Sequence, residues 1–223
     1  NRMRFMRLVM AEVMQAAGTD MAVVVKINMY DGFKGGMTQP ECIQVAKTLE
    51  QLGVHALVLS AGFVSKAPMA VMRGAMPIKT LSHYMDMKSF WWLKLGLHVA
   101  GKWMIPTVPF KEAYFLEDAK QFRAELSLPL IYVGGLVSRT KIDEVLNSGF
   151  ELVQMARALV HDPAFVNNMK ASDENYRNGC KHSNYCIARM YTLEMKCHHC
   201  VANLPKQIQK EISIAESGKQ DIK

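Results

Sequence analysis

The fold of this chain is decided by two stretches, Leu130-Ile131-Tyr132-Val133-Gly134-Gly135 and Leu152-Val153-Gln154-Met155-Ala156-Arg157. Each is a strand-like apolar run that ends in small residues, and the two are about one strand–helix unit apart. Two glycines after a buried strand let the backbone approach a ligand and present its N–H groups. An arginine after the next strand adds a positive charge. The pair predicts a phosphate site at the last two strands of a (β/α)₈ barrel, where such barrels commonly bind phosphate.

Strands and helices alternate along the rest of the chain. The predicted strands cover residues 23–27, 56–60, 130–133 and 152–155. Thr38 and Glu41 form a capping box for the helix after the first strand, and Gly53 ends that helix. This alternation predicts an α/β fold with a parallel sheet and helical cover. Four units are half of a TIM (β/α)₈ barrel. A complete doubly wound domain is the alternative, although the sequence has no G-x-G-x-x-G motif.

Two further segments bear on the domain organisation of residues 1–175, which we expect to be the C-terminal half of a barrel. The chain opens in a helical pattern over residues 1–17, which predicts that it is a fragment lacking earlier strands. An insertion at 63–111 contains a tryptophan-rich helix, 90–104, with a polar stripe of Lys94, His98 and Lys102. We expect this insertion to act as a lid or a subunit contact, since long loops at the barrel mouth often do. Binding to a membrane surface is the alternative.

Composition sets limits on the class of protein. The chain has 223 residues, of which 50% are hydrophobic, with a net charge of +7. The basic residues are scattered, so no nucleic-acid partner is expected. No apolar stretch is long enough to span a bilayer, and no signal peptide is recognisable. Together with an odd number of cysteines, five, these features predict a cytoplasmic protein in a reducing compartment.

Four motifs in this order resemble the old yellow enzyme / NADH:flavin oxidoreductase family. They are Val25-Lys26-Ile27-Asn28, the L-G-V-x-A-L-x-L-S-x-G run at 52–62, Val133-Gly134-Gly135, and the M-A-R-A-L-x-x-D-P run at 155–163. The resemblance covers residues 1–197. It implies a (β/α)₈ barrel with FMN at its C-terminal mouth, of which this chain is the second half. It also implies hydride transfer from NADH or NADPH through FMN to an activated alkene, which would be a small-molecule substrate.

The resemblance also implies roles for particular residues. Lys26 matches the basic residue beside the pyrimidine edge of the flavin, where a positive charge stabilises the reduced ring. Gly134, Gly135, Ala156 and Arg157 match the positions that bind the FMN phosphate. The family's proton donor and its substrate-orienting pair lie in the other half of the barrel, so no catalytic residue is assigned here.

Alternatives remain open for this chain. Arg73 and Lys79 in the insertion either contact an anionic substrate or are solvated. The polypeptide itself is either part of the flavoenzyme or a catalytically silent half-barrel that serves as an interaction module. A homo-oligomer is possible, because four units leave two open sheet edges.

The tail, residues 176–223, contains cysteines and histidines followed by a charged helix that we expect to fray. Cys180, Cys186, Cys197 and Cys200 are similar to the cysteine cluster of the larger iron–sulfur members of the family. Ser183 stands at the second cysteine position, and a hydroxyl is a poor ligand for such iron. We therefore predict ordinary buried thiols and no metal. A zinc-bearing docking tail, with Cys180, His182, Cys186 and Cys197 or Cys200 as ligands, is the alternative.

Overall fold

The computed structural model describes residues 3–68, 72–74, 76–84, 92, 95–96, 99–100, 107–190, 197 and 204–216. The chain divides into two compact units, Asn1–Val71 with Glu112–Met155 and Met72–Lys111 with Ala156–Lys223. The polar stripe predicted for the tryptophan-rich helix, together with Cys200, lies outside the described residues. Of the helices that are described, none is both long and apolar enough to cross a membrane.

The first unit contains the whole sheet. Its elements are α1 (Arg4–Ala17), β1 (Val24–Asn28), α2 (Gln39–Gln51), β2 (Ala56–Ser60), α4 (Leu116–Glu125), β3 (Leu130–Val133), α5 (Arg139–Asn147) and β4 (Leu152–Gln154). The second unit contains α3 (Ile78–Tyr84), α6 (Arg157–His161), α7 (Phe165–Ala171), α8 (Tyr185–Ala188) and α9 (Lys206–Glu216). The alternating order of the first unit was predicted. Helix α6 was not, and the short helix expected at Asp162-Pro163 begins at Phe165.

The four strands form one parallel sheet in the order β1-β2-β3-β4. Lys26 of β1 is in register with Val58 of β2, and Val58 with Ile131 of β3. Helices α2, α4 and α5 contact β1, β3 and β4 respectively. The predicted parallel α/β architecture is therefore confirmed.

The two faces of the sheet differ in burial. The centre of one face is fully buried under the helices, at Leu57, Leu59, Leu130 and Tyr132. We call the other the open face. Its centre is buried at Val58, but its margins are exposed, with Val24 on β1 at 49% and Leu152 on β4 at 56%. Apolar side chains at both margins of one sheet face are typical of a surface that packs against further structure.

Local sequence signals set the element ends as predicted. The capping box at the start of α2 is present, with the Thr38 amide donating to Glu41 Oε2 over 2.8 Å. Helix α1 ends at Gly18, whose φ is 56° and whose amide donates to the Met14 carbonyl. A φ of that sign favours glycine because it has no Cβ.

The second unit is held together by α9, the charged helix that was expected to fray. Ile208 and Ile212 of α9 are buried and cluster with Tyr185. Glu211, on the same helix, accepts hydrogen bonds from the Lys79 and Thr80 amides at the start of α3, each over 2.9 Å. A carboxylate at a helix N-terminus satisfies amides that have no partner within the helix.

Candidate functional site

Lys26 and Gln154 meet across the open face of the sheet. Lys26 Nζ donates to Gln154 Oε1 over 3.3 Å, although β1 and β4 are the two edge strands. Neighbouring strands are about 4.8 Å apart, so these edges are about 14 Å apart along the sheet. The two side chains therefore span the open face and set an amine and an amide over it. Sequence analysis identified Lys26 but missed Gln154, which gave no signal beyond being a polar residue at a strand end.

Asn28 ties together the carboxyl ends of the first two strands. Its Nδ2 donates to the Gly62 carbonyl over 2.9 Å and to Asp31 Oδ1 over 3.2 Å. Asp31 also accepts from the Met37 amide over 2.7 Å. Asn28 lies two residues after Lys26 and so on the same face of β1. The spacing of two residues between Lys26 and Asn28 in a predicted strand indicates a shared face, so Asn28 could have been predicted beside Lys26.

The turn after β3 is built around the side chain of Tyr132. Tyr132 Oη accepts from the Phe115 amide over 3.1 Å and donates to the Gly134 carbonyl over 3.0 Å. Burial raises the pKa of this hydroxyl, which keeps it neutral. A Cβ on Gly134 would lie only 2.6 Å from Tyr132 Oη. Packing against Tyr132 thus requires glycine here, a reason that the sequence did not reveal.

The turn after β3 contains two glycines in succession. Gly134 and Gly135 have φ values of 155° and 69°, and the Gly135 carbonyl accepts from the Ala113 amide. Val133, directly before the turn, pairs with Gln154 of β4. Neither glycine carries a Cβ, which is what a close approach of a ligand to the backbone requires.

The N-terminus of α5, just beyond this turn, already holds a carboxylate. Glu112 Oε1 accepts from the Val137 amide over 2.8 Å and from the Ser138 amide over 2.6 Å. It also accepts from the Ser138 hydroxyl over 2.8 Å. The two amides just before α5 thus have an acceptor within the chain.

Replacing Glu112 by alanine is expected to lower the free energy of unfolding by about 1–3 kcal/mol, because two amides and a hydroxyl lose their acceptor. Urea denaturation would measure the change. The matched control is Glu117→Ala, since Glu117 is exposed and pairs with Lys120 at the surface. Equal losses for the two variants would contradict the capping role.

Arg157 is anchored within the second unit. Its Nη1 donates to Asn184 Oδ1 over 2.6 Å and to the Arg73 carbonyl over 3.0 Å. Its guanidinium lies 5.9 Å from the centre of the Phe110 ring. Ala156 precedes it as the residue that caps α6. The predicted phosphate residues are therefore divided, with the glycines in the first unit and Ala156 and Arg157 in the second.

The cysteines of the tail line a small pocket in the second unit. Cys180, Cys186 and Cys197 contribute to its wall together with His161 and His182. Among the residues that the structure describes, no three His, Cys, Asp or Glu side chains are arranged to hold a metal ion. The described residues thus contain no preformed zinc site of the kind considered from the sequence.

His182 is a buried histidine that lies near the positive charges of Arg157 and Arg177. Its ring stacks on Phe110 with 3.4 Å between centroids, and its backbone has a left-handed φ of 56°. Burial, and after it the charges of Arg157 and Arg177, together lower its pKa to about 3. His182 is therefore neutral at physiological pH.

Fold and site together define the class. This is an α/β protein with a parallel sheet, a lysine–glutamine pair over the open face, and a glycine turn at the carboxyl end of β3.

Comparisons with known proteins point to redox enzymes. No protein-family model matches the chain. It is 36% identical over 194 residues to a 4,4'-dithiodibutanoate disulfide reductase of Rhodococcus erythropolis. The aligned region covers 86% of this chain and 46% of the relative. It is 22% identical over 200 residues to an NADH oxidase of Thermoanaerobacter brockii, covering 88% of this chain and 26% of the relative.

A third similarity is more local. The chain is 27% identical over 96 residues to an N,N-dimethylglycine/sarcosine dehydrogenase of Chromohalobacter salexigens, which covers 42% of this chain and 14% of the relative. The chain spans less than half the length of each of these three relatives. All three are oxidoreductases by name, so the similarity supports the oxidoreductase class that was predicted.

Proposed function

We propose that this chain is the C-terminal half of a flavin-dependent NAD(P)H oxidoreductase of the old yellow enzyme type, built on a (β/α)₈ barrel. The observation that carries the proposal is Lys26, set with Gln154 over the open face of a four-stranded parallel sheet. The similarity to a disulfide reductase and an NADH oxidase supports the redox part of the proposal.

The strand order supports a barrel over a doubly wound sheet. Crossovers between parallel strands are almost always right-handed, so a consecutive order places every connecting helix on one face. A doubly wound sheet needs a reversal of strand order to cover both faces. The order here has no reversal, and the open face has exposed margins at Val24 and Leu152. Four further strands would close the sheet and bury these side chains.

The residues present fit an FMN cofactor. The family resemblance assigns its phosphate to Gly134, Gly135, Ala156 and Arg157, of which Arg157 would supply a positive charge. Lys26 would lie at the pyrimidine edge. Bound FMN supplies the two-electron hydride chemistry that no amino-acid side chain provides.

Lys26 would act through its charge. Its ammonium group is a fixed cation whose position is set by the hydrogen bond to Gln154. A cation placed in advance next to a ring that gains negative charge lowers the free energy of that reduction. Closure of the open face would remove water and strengthen this interaction.

The proposed reaction takes hydride from NADH or NADPH and delivers it to an activated alkene. A disulfide is a second candidate for the electron acceptor. It is favoured by the 36% identity to the Rhodococcus erythropolis disulfide reductase.

Native mass spectrometry of the endogenous protein tests the cofactor. We expect the chain, in the polypeptide that contains it, to carry FMN that bleaches when NADH or NADPH is added. Protein without flavin would overturn the proposal and leave a catalytically silent interaction module.

Replacing Lys26 by methionine in that flavoprotein is expected to slow flavin reduction by about 100-fold, because an electrostatic contact to the developing charge is lost. Stopped-flow absorbance would measure the rate. Lys66→Met is the matched control, since Lys66 belongs to the same unit and lies over the Phe33 ring at 4.7 Å. Equal rates in the two variants would remove Lys26 from the site.

A further inference from the structure

The pocket of the second unit that is lined by cysteines carries several nucleophilic side chains. Three thiols and two imidazoles line it, from Cys180, Cys186, Cys197, His161 and His182. The three thiols are all partly exposed. The void has about 20 Å³ of room, which is space for a single water-sized group.

One thiol in the pocket has a partner that can take its proton. His161 Nδ1 lies 3.4 Å from Cys197 Sγ. The opposite edge of the ring packs against Gly179, where a Cβ would lie 2.7 Å from His161 Nε2. Glycine at 179 therefore lets the backbone hold the imidazole with its other nitrogen towards the thiol. A thiol beside an imidazole is the usual arrangement of an activated cysteine.

Two other described thiols, Cys186 and Cys42, are less reactive because of their surroundings. Burial raises the pKa of Cys186, and the neighbouring Cys180 raises it further. In the first unit, burial raises the pKa of Cys42 to about 11. The thiolate is the nucleophilic form of cysteine, so these groups are poor nucleophiles at neutral pH. Cys197, by contrast, has its thiol beside the imidazole of His161.

The wall of the pocket is held in a defined conformation. His182 and Asn184 have left-handed φ values of 56° and 57°, which non-glycine residues keep only when their surroundings enforce them. Here the enforcing contacts are the stack of His182 on Phe110 and the 2.6 Å bond from Arg157 to Asn184. Arg157 also lines the pocket and adds positive charge to it. That charge favours an anionic partner for the thiol.

We propose that Cys197, activated by His161, is a thiol–disulfide exchange site for small disulfides that carry a carboxylate. Cys197 Sγ gives its proton to His161 and attacks one sulfur of the disulfide. The S–S bond of the small molecule breaks, and a new S–S bond joins Cys197 to one half of it. The other half leaves as a thiolate and takes the proton from His161. The exchange itself needs neither flavin nor nicotinamide. It shares Arg157 with the proposed phosphate site, and the test below is therefore made without flavin.

The test uses the purified chain with a substoichiometric amount of 5,5'-dithiobis(2-nitrobenzoate), a disulfide with two carboxylates, and no reductant. Peptide mapping by mass spectrometry would locate the first label. At pH 7 we expect Cys197 to react about tenfold faster than Cys180 or Cys186. The neutral 2,2'-dithiodipyridine is expected to show less preference for Cys197. The denatured chain, in which all cysteines react alike, provides the reference.

Two variants test whether Cys197 reacts fast because His161 activates it or only because its thiol is exposed. His161→Gln is expected to slow labelling of Cys197 by about tenfold at pH 7 and to move its rate–pH profile to higher pH, where an unassisted thiol ionises. His83→Gln, at an exposed histidine of α3 in the same unit, should leave both unchanged. First labelling at Cys180, Cys186 or Cys200 in the native wild type would overturn the proposal without any variant. Identical rates for the two histidine variants would do the same.

Discussion

Replacing Gly134 by alanine is expected to lower the free energy of unfolding by about 3 kcal/mol, the sum of backbone strain and overpacking. The backbone at Gly134 has a φ of 155°, which side chains rarely adopt. The new Cβ would lie 2.6 Å from Tyr132 Oη and 3.0 Å from Phe115 Cδ2, both in the buried core of the first unit. Neither ring can retreat easily, because close-packed interiors leave little free volume. Urea denaturation followed by circular dichroism would measure the loss.

Gly18→Ala is the matched control for this experiment. Gly18 also has a positive φ, 56°, but nothing lies within 4 Å of its Cβ position. Its replacement should therefore cost only the backbone strain of a residue with φ 56° and ψ −137°, about 1–2 kcal/mol. A second test is Tyr132→Phe in the Gly134→Ala background, which removes the clashing hydroxyl and should recover part of the loss. If Gly134→Ala costs no more than Gly18→Ala, the turn is not built around Tyr132.

Stability is expected to fall as the pH is lowered below 6.5, through His182. In the folded chain burial and two arginine charges depress its pKa to about 3, whereas the unfolded chain has the ordinary value of about 6.5. Between these values the unfolded state binds a proton that the folded state does not. This contribution to stability is therefore complete above pH 6.5 and declines towards pH 3. At pH 5 the expected loss is about 2 kcal/mol.

Urea denaturation at pH 7.5 and pH 5 would measure this loss, and His182→Asn should reduce the difference between the two. Asparagine tolerates the left-handed backbone at 182 better than most residues, so the variant removes the titrating group with little added strain. His83→Asn is the control at an exposed histidine and should keep the full difference. A wild-type chain that is equally stable at both pH values would show that His182 is protonated without cost.

The elements that the sequence predicted correctly are those set by local signals. The capping box of Thr38 and Glu41, the glycine at 18 and the apolar run at 56–60 each act within a few residues, so their meaning does not depend on the rest of the fold. The boundary at Ala156-Arg157 was less well predicted. The small residue there begins a short helix, α6, which no local cap announces.

The contacts that the sequence did not reveal join residues far apart in the chain. Lys26 and Gln154 are 128 positions apart and meet because the strand order brings the open face together. Glu112 reaches Val137 from 25 positions away, and its role depends on how the loop before α4 packs. His161 and Cys197 gave no motif, because their pairing depends on the position of Gly179 against the ring. Such contacts are properties of the packed chain and leave little trace in spacing.

The consecutive strand order has a consequence for how a protein of this kind can grow. Each strand lies on the same side of the strand before it, so β1 and β4 are the two edges of the sheet. These two edge strands are parallel to each other. Two copies of such a sheet can join with the β1 edge of one beside the β4 edge of the other, parallel and with the helices on the same face.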